Sequence, residues 1–267
     1  MKNKVLLVVI VFSVFFSCHP SNKNSYFEEY NSVNNLDQLI GIFDLELGKT
    51  SISDIIKKYK PSYFSEKLNP DYSLGFYKLE TTDVDDRKKI ETAINERYKN
   101  VSQFYYHEYK YDDVIINSIS LFFLDNILVG IYIENPGLRF NLPKYFIEKY
   151  DDGVGSKKSD TYWNWDNKCK CYDIFSQFNE EKREWDNNVI NVVYYNEYSY
   201  SKYRSRGSTT FLGESFNSIK ENRSNKEYML YSLKEKYKVF DELMKKAIQS
   251  EEEALRVQKK EKANSLI

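Results

Sequence analysis

Apolar residues recur at helical spacing in two separate parts of this chain. Steps of three and four residues run through 52–59 and through 84–98, which predicts an amphipathic helix in each segment. Thr50 and Ser51 are placed to cap the first helix, and Pro61 is placed to stop it. Both helices therefore have one apolar face to bury.

Strand signals occupy most of the remaining body. The strongest is a hairpin, because 115–124 and 127–134 are rich in β-branched and aromatic residues and Asp125-Asn126 joins them as a two-residue turn. Further strands are predicted at 39–47, 72–79, 161–165, 168–178 and 189–200, with loops at 166–167 and 180–188 and a short helix at 143–150. This pattern predicts an α+β fold with antiparallel sheets and packed helices.

The C-terminal region is predicted to be a long helix. Ser224-Asn225-Lys226-Glu227 has the form of a capping box, so we expect the helix to start there. An apolar seam follows at steps of three and four, through Leu230, Leu233, Tyr237, Phe240, Met244 and Ala247. Two interpretations are open: the helix docks on its own domain, or it binds a partner.

These elements predict four regions along the chain. They are a signal peptide at 1–17, a flexible tether at 18–35, an α+β body at 36–222 with candidate halves 36–137 and 138–222, and the C-terminal helix with its charged tail at 223–267. The order of helices and strands is similar in the two candidate halves, although no internal sequence repeat links them.

The N-terminal segment has the composition of an export signal. Lys2 and Lys4 precede the uncharged block 5–16, which is shorter than the ~20 residues that a membrane-spanning helix needs. The sequence Phe15-Phe16-Ser17-Cys18 resembles a loose lipobox of the bacterial lipoprotein class, with two phenylalanines where leucine and alanine are usual. The resemblance implies a diacylglyceryl group on Cys18 and an acyl chain, such as palmitate, on its α-amine.

The residues after Cys18 are polar and carry no acidic group. In lipoproteins of the Bacteroidetes type, acidic residues at this place resemble a surface-export signal, and residues 19–24 contain none. We therefore expect a periplasm-facing protein of the cell envelope. Which of the two membranes holds the lipid stays open, and an ordinary signal peptide with an incidental Cys18 is the competing interpretation.

Charge excludes one class of partner. The whole chain has a formal net charge of -1, which becomes about -3 once Lys2 and Lys4 are removed with the signal peptide. Binding to nucleic acid needs a concentrated basic face, so no nucleic-acid partner is predicted. Charged residues make up 30% of the chain and aromatic residues 16%, which is typical of a folded exported protein.

The two remaining cysteines, Cys169 and Cys171, are separated by one residue. A disulfide between them is a candidate, although a strand would hold the two Cα atoms near the upper limit for bridging. A metal site is not predicted, because a tetrahedral site needs four ligands and the only histidines are His19 and His107. No cofactor is predicted either.

Catalytic signatures are missing from the sequence. There is no Gly-x-Ser-x-Gly elbow, no phosphate-binding glycine loop and no His-Glu-x-x-His. His107 alternates with aromatic residues as a structural strand residue does, and the pairs Asp85-Asp86 and Asp151-Asp152 are interpreted as solvated turns. The chain is therefore predicted not to be an enzyme.

Two aromatic stretches are candidate binding surfaces. Residues 194–206 interleave tyrosines with cations, which can stack on sugars and contact anionic groups, and the candidates there are Tyr198, Tyr200, Arg204 and Arg206. Trp163 and Trp165 share one strand face and form a second candidate platform. The competing interpretations are an edge strand whose tyrosines lie over the core, and tryptophans packed between layers.

A further resemblance concerns topology only. Leu47-Gly48-Lys49-Thr50 followed by an amphipathic helix resembles the Gly-x-Thr helix entry of small periplasmic lipoproteins, such as the outer-membrane assembly lipoprotein and β-lactamase-inhibitor-like folds. Those proteins place an acidic or amide residue three positions after the threonine, where this chain has Ser53 and then Asp54. No functional residue is carried over.

The sequence thus predicts an anchored cell-envelope lipoprotein that acts by binding, or as a structural module, without catalysis. Its expected partners are the lipid membrane, through Cys18, and an envelope protein or glycan. The rival hypothesis is a periplasmic hydrolase or enzyme inhibitor whose site is built from scattered polar residues.

Overall fold

A computed structural model of the chain describes residues 21–33, 36–58, 83–98, 100–138, 140–166, 171–206 and 217–265. The predictions made for Cys18, Pro61, Cys169 and the strand at 72–79 lie outside these residues.

The described chain forms ten strands and four α-helices. The strands are β1 (Ser21–Ser32), β2 (Gly41–Ile42), β3 (Leu45–Glu46), β4 (Val101–Tyr111), β5 (Val114–Leu124), β6 (Ile127–Glu134), β7 (Gly153–Asp166), β8 (Cys171–Asp186), β9 (Ile190–Arg206) and β10 (Asn217–Leu233). The helices are α1 (Ile52–Lys58), α2 (Val84–Arg97), α3 (Leu142–Tyr150) and α4 (Lys234–Asn264). This confirms the predicted fold class: an α+β protein with a large antiparallel sheet and a long C-terminal helix.

Eight strands make one sheet in the order β1-β7-β8-β9-β10-β6-β5-β4, and β2 and β3 make a small separate pair. The strands divide between two compact units, each built from several chain segments. We call the first the sheet unit (Met1–Glu29, Ser156–Lys182 and Asn196–Lys226) and the second the core unit (Tyr30–Gly155, Arg183–Tyr195 and Glu227–Ile267). These units do not follow the boundary expected between residues 137 and 138.

The core unit buries apolar side chains on both faces of its strands. Along β5, Leu121 and Phe123 belong to one buried cluster, and Phe122 and Leu124 belong to another. The first cluster includes residues of α1 and α3, and the second includes residues of α2 and α4. Because both faces are covered, β5 and β6 appear in the sequence as almost unbroken apolar runs.

The predicted hairpin is confirmed, and its turn has the expected geometry. Asp125 and Asn126 both adopt positive φ angles, 50° and 70°, as a type I′ turn requires. Leu124 then pairs with Ile127 in the antiparallel ladder of β5 and β6. Asn and Asp tolerate this left-handed conformation better than other side chains do, so these two residues select the turn.

Helix α4 docks on the core unit's own strands, which decides between the two interpretations of its apolar seam. Tyr237, Phe240, Met244 and Ala247 are buried in the cluster that contains β5 residues. The close approach of α4 to β6 also depends on Gly130, because a Cβ atom at this position would lie 2.6 Å from the Tyr237 ring. The seam therefore packs internally.

The start of this helix corrects a sequence prediction. The expected capping box at Ser224–Glu227 lies within β10, and α4 begins ten residues later at Lys234. The strand register pairs Tyr228 with Glu134 and Ser232 with Gly130. Met229 and Tyr231 are buried on one face, so the segment has the period of two that a strand requires. The segment Ser224–Glu227 is therefore part of a paired strand, despite its local helix-capping pattern.

Two other predictions are corrected in the same way. The expected flexible tether contains strand β1, which pairs with β7 over Ser21–Ser32. The loop expected at 180–188 is mostly strand, because β8 continues to Asp186. Most described side chains of β1 are exposed, and this strand is held by its pairing with β7. The end of β8 is fixed instead by Trp185, which is fully buried in the core unit.

A buried carboxylate joins α2 to the C-terminal part of α4. Asp86 is 3% exposed and accepts a hydrogen bond from the ammonium group of Lys259. This hydrogen bond lowers the pKa of Asp86 below its usual range, against the opposing effect of burial. Asp85-Asp86, interpreted from sequence as a solvated turn, is thus helical, and Asp86 holds two helices together.

We therefore expect Asp86→Asn to loosen this helix pair in a pH-dependent way. A lowered carboxylate pKa contributes stability above the unfolded value, near pH 4, and loses it as the pH falls through the folded value. Thermal unfolding should show a lower midpoint for the variant than for wild type at pH 7. The two midpoints should draw together as the pH falls below about 4. A gap of constant size from pH 7 to the lowest pH measured would contradict this role for Asp86.

Candidate binding surface

The residues predicted as two separate candidate surfaces lie on one face of the sheet unit. Ser159 of β7 donates a hydrogen bond to Asn179 of β8 at 2.5 Å, and Phe175 of β8 contacts the Tyr200 ring with 5.9 Å between centroids. Side chains alternate between faces along each strand, so Trp163 shares the face of Ser159. By the same rule, Tyr198 lies on the same face of the sheet as Tyr200.

We call this surface the aromatic face; its members are Tyr26, Trp163, Phe175, Tyr198 and Tyr200. Trp165 follows on β7, and Arg204 and Arg206 follow on β9, but their side chains lie outside the described part of the structure, as does that of Cys171. The structure thus joins the predicted tryptophan platform to the predicted tyrosine stretch, because β8 lies between β7 and β9.

The aromatic face is not a hydrophobic core. Among the described side chains of the sheet unit, none is buried, and Trp163, Tyr198 and Tyr200 are all partly exposed. Strand β9 is flanked by β8 and β10, so its tyrosines do not lie on an edge strand as the competing interpretation held. Within the sheet unit both faces are therefore accessible.

Contacts between neighbouring strands hold the aromatic face. Lys202 lies 3.1 Å from Glu221, and the Arg223 guanidinium lies over the Tyr200 ring, 5.2 Å from its centre. The hydrogen bond from Lys202 lowers the pKa of Glu221, so this carboxylate stays ionised at neutral pH. Cross-strand pairs of this kind stabilise neighbouring strands. They matter in the sheet unit because none of its described side chains is buried.

A groove of about 440 Å³ opens on the aromatic face. Its walls combine tyrosine rings with amide, hydroxyl, carboxylate and ammonium groups, and the lining residues are Tyr26, Lys157, Ser159, Asn179, Glu180, Glu181, Asn196 and Tyr198. Tyr26 is 53% exposed, and its hydroxyl donates to Glu28. Sequence reasoning missed Tyr26 because it fell in the expected tether, and Tyr26-Phe27-Glu28-Glu29 does not alternate between apolar and polar residues as a strand signal would.

The opposite face of the same unit carries a second, smaller groove of about 270 Å³. Its lining includes Asp160, Tyr162 and Phe178, with Lys23 at the β1 edge. Hydrogen bonds from Ser25 and then Lys158 lower the pKa of Asp160. Asp160 is therefore held by Ser25 of the neighbouring strand β1 and by Lys158 of its own strand β7.

The core unit has a polar groove of about 260 Å³ beside the Gly48-Lys49-Thr50 turn. Asp44, in its lining, accepts hydrogen bonds from Tyr109 and Lys58. Asp54 accepts from the Ser51 hydroxyl and backbone, and these hydrogen bonds lower its pKa. Asp44 and Asp54 therefore serve local structure.

The adjacent pair Asp151-Asp152 also has structural contacts. Asp152 lies 2.6 Å from the Arg183 guanidinium, and Asp151 accepts from Ser32. Asp151 and Asp152 therefore position strands of the core unit, where a solvated turn was expected. His107 lies on β4, and its side chain is outside the described residues.

No group of three or more His, Cys, Asp or Glu residues that could hold a metal ion occurs within the described ranges. In the same ranges, no helix is long and apolar enough to cross a membrane.

Comparison of the chain with protein-family models, with curated proteins and with solved structures finds no match.

Proposed function

We propose that the chain is a membrane-anchored lipoprotein of the cell envelope that binds an envelope glycan through the aromatic face of its sheet unit. Lipidation of Cys18 supplies the anchor in this proposal, and the protein faces the periplasm. It acts by binding, without catalysis. The single observation that carries the proposal is that the aromatic face exposes its rings beside a polar groove instead of burying them.

The chemistry of the groove favours a sugar chain over a protein partner. Tyrosine faces stack on the apolar side of sugar rings, and Ser159, Asn179 and Asn196 bring hydrogen-bond donors and acceptors to the same groove. Protein interfaces instead rely on a desolvated apolar centre, and the described side chains of the sheet unit provide none. The extended strands also offer room for several sugar units in a row.

Replacement of two groove tyrosines should weaken glycan binding. Tyr26→Ala with Tyr198→Ala is expected to lower co-sedimentation with purified peptidoglycan sacculi about tenfold, because each aromatic face contributes on the order of 0.5–1.5 kcal/mol. Both rings are surface groups, so the fold should persist, and the thermal unfolding midpoint checks this.

The matched control is Tyr162→Ala, which removes an exposed tyrosine from the opposite face of the same unit. It should leave co-sedimentation unchanged. Equal losses in the control and in the double variant would contradict the assignment of the aromatic face. Binding of the wild type to purified envelope proteins but not to sacculi would contradict the glycan and indicate a protein partner.

A further inference from the structure

Three tyrosine rings form a row across neighbouring strands of the core unit. Tyr195 lies on β9, Tyr228 on β10 and Tyr132 on β6, and these strands follow one another in the sheet. The Tyr195 and Tyr228 rings are 5.4 Å apart between centroids, and the Tyr228 and Tyr132 rings are 5.5 Å apart. The angles between the ring planes are 30° and 31°. We call these three residues the tyrosine row.

The tyrosine row is only partly covered by the rest of the core unit. Tyr132 belongs to the buried cluster that includes residues of α2 and α4, and Tyr228 packs against this cluster. Tyr132 is 7% exposed, whereas Tyr195 and Tyr228 are half-buried. The row therefore extends from the packed core to a surface that a small ligand can reach.

Glu134 places a carboxylate beside the tyrosine row. It pairs directly with Tyr228 in the antiparallel ladder of β6 and β10, and it lies two residues from Tyr132 on β6. The three side chains therefore share one face of the sheet. Their oxygen-bearing groups are close enough that Glu134, after burial, contributes to raising the pKa of Tyr132, as Tyr228 also does.

The environment of Glu134 disfavours its negative charge. The side chain is half-buried, and burial raises the pKa of its carboxyl group. No cation among the described residues offsets this shift. A carboxylate in this position gains most from a ligand that brings a positive charge and hydrogen-bond donors.

We propose that Glu134, Tyr132 and Tyr228 bind the primary ammonium group of a small ligand. An ammonium group carries one positive charge and three N–H donors, and these side chains offer one carboxylate and two phenolic oxygens as acceptors. Aromatic rings also attract cations. A divalent metal ion is usually held by several carboxylates, whereas these three side chains include one. The site belongs to the core unit and depends on neither the proposed glycan binding nor the proposed lipidation.

Titration of the isotope-labelled mature chain with butylammonium chloride tests the site by nuclear magnetic resonance. At constant ionic strength, saturable shift changes are expected at Tyr132, Glu134 and Tyr228. Butyltrimethylammonium has the same charge but no N–H donor, so it should bind about tenfold more weakly. Butanol lacks the charge and should cause no saturable change.

Glu134→Gln should lower the affinity for butylammonium about tenfold or more, because it replaces the charged acceptor with a neutral amide. The same variant should unfold at an unchanged or higher temperature at pH 7, since it also removes the cost of a partly buried charge. If Glu134 served only to stabilise the strand pair, the unfolding midpoint would instead fall and the affinity would not change.

Glu148→Gln is the matched control, because it makes the same replacement at an exposed position of α3. The buried residues of α3 belong to the other apolar cluster, so this variant should bind butylammonium as the parent does. Tyr228→Phe keeps the ring and removes one phenolic oxygen, and it should lower the affinity about threefold. This second variant serves as the measurement if Glu134→Gln does not fold.

The ammonium site would be refuted by the absence of saturable shift changes with butylammonium, or by equal affinities for butylammonium and butanol. An unchanged affinity in Glu134→Gln, or equal losses in Glu134→Gln and Glu148→Gln, would also overturn it. Equal affinities for butylammonium and butyltrimethylammonium would contradict the hydrogen-bonded arrangement of the three side chains. Glycan binding by the aromatic face is measured separately, so it can fail or succeed independently of each of these results.

Discussion

Cys18→Ala is expected to move the protein from the membrane fraction to the soluble periplasmic fraction. The proposed lipid on Cys18 would supply the firm attachment, because several acyl chains anchor a protein stably. The described residues contain no helix that is long and apolar enough to cross a membrane. Fractionation of cells followed by immunoblotting measures the effect, and nearly all of the wild-type protein should sediment with the membranes.

Cys171→Ala is the matched control, since it removes a thiol from the same chain at the start of β8. This variant should fractionate as the wild type does. The proposed lipidation would be refuted if Cys18→Ala stayed in the membrane fraction after a salt wash, which removes proteins held at a membrane by charge alone.

Trp185→Ala should cause the largest loss of stability among single substitutions in the core unit. The Trp185 side chain is fully buried, and its ring packs edge-on against Phe146 with 4.9 Å between centroids. Its indole nitrogen donates to the carbonyl oxygen of Asp151 at 2.9 Å. Truncation leaves a large cavity and an unpaired carbonyl, which together cost about 3–5 kcal/mol of the free energy of unfolding.

Urea unfolding followed by far-ultraviolet circular dichroism measures this loss without relying on tryptophan fluorescence. Trp163→Ala is the control, because Trp163 lies on the exposed sheet unit and its loss should cost less than about 1 kcal/mol. Similar losses for the two variants would contradict the distinction between a buried core unit and an exposed sheet unit.

Elements that carry their own structural signal could be predicted from the sequence. The hairpin of β5 and β6 followed from two β-rich runs and from Asp125-Asn126, two residues that tolerate the positive φ angles of this turn. Helix α2 followed from its apolar spacing, and Asp83 caps it by accepting from the backbone of Asp85 and Asp86. In both cases local chemistry and tertiary packing favour the same structure.

Elements that depend on a distant partner could not be predicted. Ser224–Glu227 satisfies the pattern of a helix cap, but it lies within β10, which pairs with β6 from Tyr228 to Ser232. Strand β1 is similar: Ser25 and Tyr26 carry little apolar signal, and the pairing with β7 exists only once the sheet has formed. Pairing between strands that lie about one hundred residues or more apart in the sequence cannot be predicted from a local pattern of residues.

The sequence identified residues of the candidate surface, but it did not show how the strands bring these residues together. Trp163, Tyr198 and Tyr200 were selected because aromatic residues alternate with polar ones, and that pattern is equally typical of a strand over a core. Only the strand order places β7, β8 and β9 side by side and leaves their rings accessible. Asn179 and Asn196 gave no sequence signal, because single asparagines are common in polar strands.

Nuclear magnetic resonance of the isotope-labelled mature chain, titrated with soluble peptidoglycan strands, tests the central claim most directly. The account predicts shift changes confined to β1, β7, β8 and β9 of the sheet unit and centred on Ser159, Asn179 and Tyr198. Changes centred instead on Asp44 and Lys58, at the polar groove of the core unit, or no changes at saturating glycan, would contradict the claim that the aromatic face is the binding surface.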